Sequence, residues 1–424
     1  MKPLINTALL LLVIAGSIFI PSYSSAQNNS ETEIRVVTLQ QAFDEALKNN
    51  GNIKSANYSI DLQKALKRSA FNIDKTNITI SQGQINSINY DNNLNISQRI
   101  EYPTVYKNQL RLADERIKGS QYQLAVNQLD LANNVKAAYY QFVYYINKRQ
   151  LLYAQDTLYN NLVKASTVRY KTGESTLLEK ATSETSSFEI KNRIQQNEMD
   201  ITIAQQQLQV LLNTKDAVMV ADTLIVKREI QLPTDSSVIA NNPMLQYLKQ
   251  QIEINKKETD VQKAKRLPDF IVGYTNQSFR GIQNVNGVNE KFTGLDRFNS
   301  FQLGVAIPIL PGGHKSKING SKINEQIAAT NLEYEQTNLN GQRTILVQQY
   351  LKQKLAIDYY EKTALPQADL IIKNADKAFR NGEIPYIQYQ QSLATALKIR
   401  TDYVDAIYQF NQVAITIETI LGIK

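Results

Sequence analysis

Apolar residues along this chain change from helical spacing to strict alternation and back, and they do so twice. Residues 38–70 carry two helical runs, with Thr38 as the expected N-cap of the first. Over about 76–101 apolar residues alternate with Ser, Gln and Asn, which is the spacing of half-buried strands, and 90–93 mark the expected turn. The pattern therefore predicts two helices followed by a β-hairpin with one apolar and one polar face.

From Pro103 to about Arg169 the helical pattern returns and continues unusually far. Apolar residues recur every seven residues, which predicts coiled-coil packing over roughly 100 Å. Gly173 interrupts this helix and a second helical run covers 175–212, so the two helices are expected to form an antiparallel hairpin. The heptad positions are Leu110, Ile117, Leu124, Leu131, Ala138, Tyr145, Leu152 and Tyr159.

The second half of the chain repeats this plan. Gly173 follows Pro103 by 70 residues, and Gly382 follows Pro311 by 71. Such matched spacing indicates two copies of one supersecondary unit. The predicted elements of the second copy are a helix over 244–266, strands over 270–279 and 301–310, a long polar loop over 280–299, and a long helix from Pro311 that is interrupted at 379–382.

The N-terminal segment predicts export. A basic Lys2, an apolar run over 4–20 and small residues at 24–26 are typical of a signal peptide over 1–26. No comparable apolar run follows, so the mature chain is expected to cross a membrane as strands if it crosses one at all. The remaining divisions are a first repeat over 27–213, a connector over 214–240 with strand-like character at Leu224 and Val226, and a second repeat over 241–424.

Two predicted hairpins provide four strands per chain, and four strands cannot close a barrel. An open sheet edge in lipid leaves backbone groups without partners, which costs several kcal/mol for each group. Three chains would supply twelve strands, an even number within the range of membrane barrels. The alternative is an ordinary soluble sheet that packs on the helices.

Composition argues against catalysis and against nucleic-acid binding. The formal net charge of +8 is modest for 424 residues, and Lys and Arg are interleaved with Asp and Glu. The chain has no cysteine and a single histidine, His314, so the usual nucleophile pairs and thiolate metal sites have too few residues. Gly312 and Gly313 lack the further glycines and lysine of a phosphate-binding loop. We therefore predict a protein that is not an enzyme, with no cofactor, no metal site and no nucleic-acid partner.

The doubled order of these elements resembles the TolC-like family of outer-membrane efflux channels over nearly the whole mature chain. Each hairpin turn has an aromatic residue three positions before its glycine, Tyr170 with Gly173 and Phe379 with Gly382. Both rings are expected to pack between neighbouring hairpins. The other matching residues are 39–42, Ala46, Asn49 and Asn50 at the start and 305–313 after the last strand.

The resemblance implies a mainly α-helical fold with membrane β-structure. In that family a homotrimer closes a twelve-stranded barrel in outer-membrane lipid, and its helices form a periplasmic tunnel. A periplasmic adaptor and an inner-membrane pump are the implied partners, in efflux or type I secretion, with passive exit of small molecules or ions. The alternative is a periplasmic coiled-coil adaptor or scaffold, although such proteins generally carry one helical hairpin rather than two.

The resemblance also places the functional residues at the two hairpin turns. Acidic residues after the turns line a pore constriction in that family, and the matching positions here are Glu179 and Gln388, with Glu174 and Glu383 beside the glycines. Acidic residues near a helix start are also favoured by the helix dipole alone, which is the alternative for Glu174 and Glu179. The residues expected at the periplasmic tip and in adaptor contact are Arg169, Tyr170, Lys171, Thr172, Gly173, Phe379, Arg380, Asn381 and Gly382.

Overall fold

A computed structural model shows two copies of one unit, each with a β-hairpin and long helices, as the repeat predicted. The signal peptide predicted over 1–26 and the helix start predicted at Pro311 lie outside the described residues. The structure describes residues 34–86, 88–232, 236–310 and 312–423.

Local signals determine where the helices of the first copy begin. The Thr38 hydroxyl accepts a hydrogen bond from the Gln41 amide at 3.3 Å, and the Gln41 side chain accepts one from the Thr38 amide at 2.9 Å. Pro103 occupies the first turn of the long helix, where its missing N–H is not needed. The elements are β1 (Arg35–Val37), α1 (Leu39–Asn49), α2 (Gly51–Lys67), β2 (Asn77–Gly83), β3 (Asp91–Ile100), α3 (Pro103–Lys171) and α4 (Leu177–Leu212).

The connector contains a strand, but not where the sequence predicted strand character. Strand β4 (Val218–Val220) pairs in parallel with β1. Its two flanking valines are buried, whereas Leu224 and Val226 are 66% and 68% exposed and lie outside any strand. The prediction at Leu224 and Val226 was wrong because burial against the helices, which the local pattern does not contain, selects the segment that pairs.

The second copy repeats the order and adds a short hairpin. This hairpin lies inside the segment predicted as a polar loop over 280–299, and it turns at Asn286 and Gly287, both with positive φ. The elements are α5 (Pro243–Ala264), β5 (Asp269–Ser278), β6 (Gly281–Val285), β7 (Val288–Phe292), β8 (Arg297–Ala306), α6 (Gly312–Tyr359), a π-helical turn (Tyr360–Ala364), α7 (Leu365–Arg380) and α8 (Tyr386–Ile420).

The π-helical turn breaks the second long helix at a place that the sequence analysis did not predict. Pro366 is the second residue after the turn, and a proline inside a helix lacks an N–H and clashes with the carbonyl group one turn earlier. The wider π turn accommodates this ring. Within the turn, Glu361 accepts hydrogen bonds from Lys227 Nζ at 3.0 Å and from the Tyr403 hydroxyl at 2.9 Å, so the break is also tied to the connector.

The turn of the first β-hairpin, between β2 and β3, lies earlier than predicted. The sequence placed it at 90–93, but Asp91 already pairs with Gly83 in the sheet. The buried Asp91 carboxylate accepts hydrogen bonds from Ser278 Oγ at 3.1 Å and from the Arg280 amide at 2.8 Å. These contacts with the second copy extend β3 beyond the point where the local pattern ends.

The four long strands form one antiparallel sheet in the order β2-β3-β5-β8. Residues that are paired across an antiparallel sheet lie on the same face. Most consecutive rows alternate between mainly apolar and mainly polar side chains, as predicted for the two faces, although Asn276 and Asn299 lie on the apolar face and Phe298 lies on the polar face. One apolar row is Ile78, Ile96, Tyr274 and Phe301, and the next row, on the polar face, is Thr79, Asn95, Thr275 and Ser300.

The helices keep the order of the strands to which they connect. Near the sheet, α3 packs between α2 and α5, and α5 packs between α3 and α6. Further from the sheet, α3 packs against α4 on one side and α8 on the other, and α8 packs against α6 and α7. One chain is therefore a layer with the sheet at one end. Helices α2 and α4 lie along one edge with β2, and α6 and α7 lie along the other edge with β8.

The main core lies where the connector packs on α3, α4 and α8. All eight predicted heptad positions of α3 are buried or half-buried, as expected for coiled-coil packing. Beside this core, Lys136 Nζ lies 2.6 Å from Glu418 Oε2, and Arg228 Nε donates to Glu418 Oε1 at 2.9 Å. These three residues, called the Glu418 triad below, join α3, α8 and the connector.

Candidate functional site at the two hairpin turns

The first hairpin turn ends α3 with a left-handed residue. Gly173 has φ +78°, a conformation that residues with a Cβ rarely adopt. The Gly173 amide donates to the Tyr170 carbonyl at 3.1 Å, and the Glu174 amide donates to the Arg169 carbonyl at 2.8 Å. These bonds satisfy carbonyl groups that would otherwise lack partners at the helix end.

The second turn has the same geometry. Gly382 has φ +75°, its amide donates to the Phe379 carbonyl at 3.1 Å, and the Glu383 amide donates to the Ala378 carbonyl at 2.8 Å. The predicted repeat therefore extends to single hydrogen bonds. The copies differ at the next helix start, where the Thr176 hydroxyl caps α4 but Pro385, before α8, provides no side-chain cap.

The two turns of one chain contact each other. The Arg169 guanidinium lies 5.3 Å from the centre of the Phe379 ring, which is a cation–π distance. Phe379 also stacks on Tyr389, with ring centres 4.7 Å apart. Tyr170 contacts its own hairpin, with Lys180 Nζ of α4 5.7 Å from its ring centre. Of the two predicted packing residues, Phe379 thus joins the two hairpins of one chain, and Tyr170 remains 39% exposed.

An apolar cluster behind the turns holds all four tip helices together. It includes residues of α3, α4, α7 and α8, so both hairpins share one core at this end. The buried members are Tyr159, Leu162, Ile190, Ala375, Tyr386, Tyr389, Leu393 and Leu397.

The other predicted tip residues are mostly exposed and locally bonded. Lys171, Thr172, Arg380 and Asn381 are all exposed. Arg380 pairs with Asp376 at 2.9 Å. The Thr172 hydroxyl donates to the Arg169 carbonyl at 3.1 Å, and Asn381 Nδ2 donates to Glu383 Oε1 at 3.0 Å.

The four predicted constriction residues differ in exposure. Glu174, Glu383 and Gln388 are exposed. Glu179 is half-buried, and its Oε2 atom is buried without a hydrogen-bond partner among the described residues. The hydroxyl of the buried Tyr386 likewise lacks a partner there. Burial raises the pKa of Tyr386, the nearby Ser183 hydroxyl partly offsets this rise, and the negative charge of Glu179 adds to it.

Sequence reasoning missed the polar contact inside the tip. The buried hydroxyls of Ser166 and Ser183 lie 2.5 Å apart and join α3 to α4. Gln390 Nε2 donates to Ser186 Oγ at 3.0 Å and joins α8 to α4. Serines at helix-facing positions were the available signal, but which helix they face is decided only by the tertiary packing.

Over the described ranges, no helix is long and apolar enough to cross a membrane. The same residues contain no group of three or more His, Cys, Asp or Glu side chains that could hold a metal ion. His314 lies half-buried near the start of α6, remote in sequence from both turns.

The sequence model of one protein family, described as outer membrane efflux protein, matches residues 42–214 and 236–423. No curated protein sequence matches the chain. Solved structures share its fold at low identity, and they include three channels. CusC, a protein that forms a transmembrane channel, superimposes with a TM-score of 0.75 at 15% identity, over 94% of this chain and 96% of that chain.

The other two are also outer-membrane channels. CmeC of Campylobacter jejuni has a TM-score of 0.74 at 16% identity, over 91% of this chain and 85% of that chain. The open state of MtrE of Neisseria gonorrhoeae has a TM-score of 0.70 at 14% identity, over 91% of this chain and 89% of that chain. Both β-hairpins and both helical hairpins lie within the residues that the family model matches, so that match includes the whole architecture.

Proposed function

The chain belongs to the outer membrane efflux protein family and is an outer-membrane channel component of efflux machinery, and we propose that three identical chains close into one passive exit duct. Below, a copy of the protein means one whole chain. Small molecules or ions would diffuse through it, with energy supplied elsewhere. The alternative of a periplasmic adaptor or scaffold is set aside, because the matched family consists of transport channels. The observation that carries the proposal is that both edges of the layer expose apolar side chains and a strand that is paired on one side only.

The edge helix α2 has apolar residues on two opposite sides. Ile53 and Ile60 are buried against the chain, whereas Tyr58 and Leu62 are 73% and 55% exposed. At about 100° per residue, the two pairs lie on opposite sides of the helix. A surface helix normally has one apolar face, so this pattern is typical of a helix that packs on both sides. The same pattern occurs at Met199, Ile203 and Val210 in α4 and at Ile323, Ile327 and Tyr334 in α6.

The sheet edges lead to the same conclusion. Among the described strands, β2 and β8 each pair on one side only. They run antiparallel to each other, so β8 of one copy can pair with β2 of the next without breaking the alternation. Three copies would give twelve strands with no free edge, which satisfies the backbone groups inside lipid. The apolar face would contact lipid and the polar face would line the duct.

The hairpin turns are proposed as the end that meets the periplasmic adaptor and its inner-membrane pump. Helix α3 has 69 residues, so it places the first turn about 100 Å from the sheet. Adaptor contact is assigned to 169–173 and 379–382, where seven of the nine residues are exposed. The constriction is assigned to Glu174, Glu179, Glu383 and Gln388, because carboxylates around a narrow aqueous pore attract cations.

The test is a cysteine cross-link across the proposed edge contact, in a chain that has no cysteine of its own. Thr79→Cys in β2 is combined in turn with Phe298→Cys, Ser300→Cys and Gln302→Cys in β8, since all four lie on the polar face. Oxidation of isolated outer membranes should give covalent dimers and trimers and no larger species, because a closed ring of three has three such contacts.

The matched control uses two cysteines that pair within one chain. Asn95→Cys and Thr275→Cys are direct partners between β3 and β5, so they should form an internal disulfide and leave the protein as a monomer on a denaturing gel. Cross-linked species larger than a trimer would refute the closed trimer. Monomers alone for every pair of cysteines in β2 and β8 would refute it as well.

A further inference from the structure

The positive charge of the chain is concentrated where the helical layer meets the sheet. Four segments enter or leave the sheet at this end, and together they contain 13 Lys and Arg but only 4 Asp and Glu. The whole chain has 47 Lys and Arg and 39 Asp and Glu, so the remainder of the chain has 34 basic and 35 acidic residues and is nearly neutral. The segments, called the basic girdle below, are 64–76, 99–111, 260–269 and 312–322.

The opposite end of the sheet has no such excess. The loop over 84–90 contains no charged residue, and 279–296 contains two basic and two acidic residues. If these basic residues served only solubility, they would not need to be concentrated at one end of the sheet and its apolar face. The asymmetry therefore points to something negative beside the helix end of the sheet.

Most cations of the basic girdle are free to bind a ligand. Nine of the thirteen make no ion pair with any described residue, and all nine are exposed. Lys265 and Lys317 line a common cleft of about 570 Å³ between α5 and α6, together with the amides of Gln262 and Asn324 and with the ion pair of Arg116 and Glu258. Ammonium and amide groups around one cleft are suitable donors for a phosphate. The four paired cations are Lys64, Lys67, Arg99 and Lys263.

Exposed apolar side chains occur at the same level. Phe71 is 59% exposed, Ile307 is 63% exposed and Leu310 is 88% exposed. The Tyr102 ring stacks on Phe270 of the apolar face, with ring centres 6.0 Å apart. Aromatic and aliphatic groups beside unpaired cations are typical of the level where acyl chains meet lipid headgroups.

We propose that the basic girdle binds the anionic phosphate headgroups of the lipid leaflet on the helix side of the sheet. This inference rests on the proposed function, because it requires the apolar face of the sheet to lie in the membrane. The long Lys and Arg stems cover apolar surface while their charged ends reach the headgroup phosphates. In a closed ring the four segments of each copy form a continuous collar, which determines how deep the duct sits in the membrane.

The test measures which lipids accompany the assembled protein. The full-length protein is reconstituted into nanodiscs with equal amounts of phosphatidylcholine and phosphatidylglycerol, then extracted in mild detergent, and the retained lipids are quantified by mass spectrometry. We expect phosphatidylglycerol to be enriched by about threefold over phosphatidylcholine. The enrichment should fall as salt is added, because salt screens exposed charges.

The girdle variant carries Lys265→Gln, Arg266→Gln, Lys315→Gln and Lys317→Gln and should lose the enrichment. The control variant removes four exposed cations far from the sheet, and it should keep the enrichment. Both variants must elute at the size of the unaltered assembly before their lipids are compared. The control substitutions are Lys164→Gln, Lys352→Gln, Lys354→Gln and Lys373→Gln, none of which breaks an ion pair among the described residues.

Two results would overturn the inference. One is equal retention of both lipids by the unaltered protein. The other is a girdle variant that keeps its lipid preference but shifts the ratio of anion to cation permeability of the channel, because the cations would then line the lumen. A complete trimer cross-link with no lipid preference would reject the girdle alone, whereas absence of the cross-link would reject the duct itself.

Discussion

Glu179 behaves differently from the other acidic residues at the tip. Thr176 and Glu179 have the spacing of a capping box, as do Thr38 and Gln41, but only the Thr38 pair makes both reciprocal bonds. The Glu179 carboxylate therefore does not complete a capping box, although its charge still favours the helix start, and its buried Oε2 atom has no hydrogen-bond partner among the described residues. At the scale of a single residue this favours a role toward the lumen or a neighbouring copy over a purely local one.

We expect Glu179→Ala to raise the single-channel conductance or to weaken block by divalent cations, because a trimer would lose three carboxylates from its narrowest part. Planar-bilayer recordings of the reconstituted protein measure both quantities. Glu189→Ala is the control, since it removes an exposed carboxylate further along the same helix. If conductance and block both match the unaltered channel, Glu179 is not part of the constriction.

At the scale of elements, a few polar contacts join segments that the repeat itself does not bring together. The Glu418 triad contains the most buried ion pair among the described residues. The side chains of Lys136 and Glu418 are 11% and 9% exposed, and that of Arg228 is 27% exposed. One carboxylate thus neutralises two cations from different elements. Removing it would leave two like charges close together in a largely dry environment.

Glu418→Gln is therefore expected to lower the free energy of unfolding by about 3–5 kcal/mol. Lys136→Met should cost less, because Glu418 keeps Arg228 as its partner and the stem volume is preserved. Denaturant unfolding of the detergent-solubilised protein, followed by circular dichroism, compares the two. Equal losses for both variants, or no loss for Glu418→Gln, would show that the triad does not hold the connector in place.

At the scale of the whole molecule, the apolar sides of α2 and α6 predict where neighbouring copies meet. A carboxylate placed at the centre of such a contact loses its water without gaining a partner. We expect Leu62→Asp and Ile327→Asp each to shift the detergent-extracted protein from trimer toward monomer, as measured by light scattering. If a variant with either substitution remains fully trimeric, that residue does not lie in the contact between copies.

Asn57→Asp is the control for this prediction. It adds the same charge to α2, on an exposed side chain that lies to one side of the Tyr58 and Leu62 stripe. The trimer should survive this substitution. Dissociation of the control as well would indicate a general effect of charge rather than a specific contact.

The elements that sequence reasoning predicted depend on residues close together along the chain. The Thr38 cap, the start of α3 at Pro103, the alternation of the sheet and the turns at Gly173 and Gly382 follow from backbone geometry and from the spacing of apolar residues. The doubled spacing also made the two-copy organisation predictable. Such features need no knowledge of what packs against them, because period and turn chemistry are local properties.

Other features were decided by residues that are far apart in sequence. The pairing of β1 with β4, the π turn before Pro366, the contact of Arg169 with Phe379 and the burial of Glu179 all depend on which elements become neighbours. The basic girdle is of the same kind, since its four segments are separated along the chain and meet only through the order of the sheet. Local pattern therefore determined the elements and their repeat, while tertiary packing decided which faces and charges were left for partners.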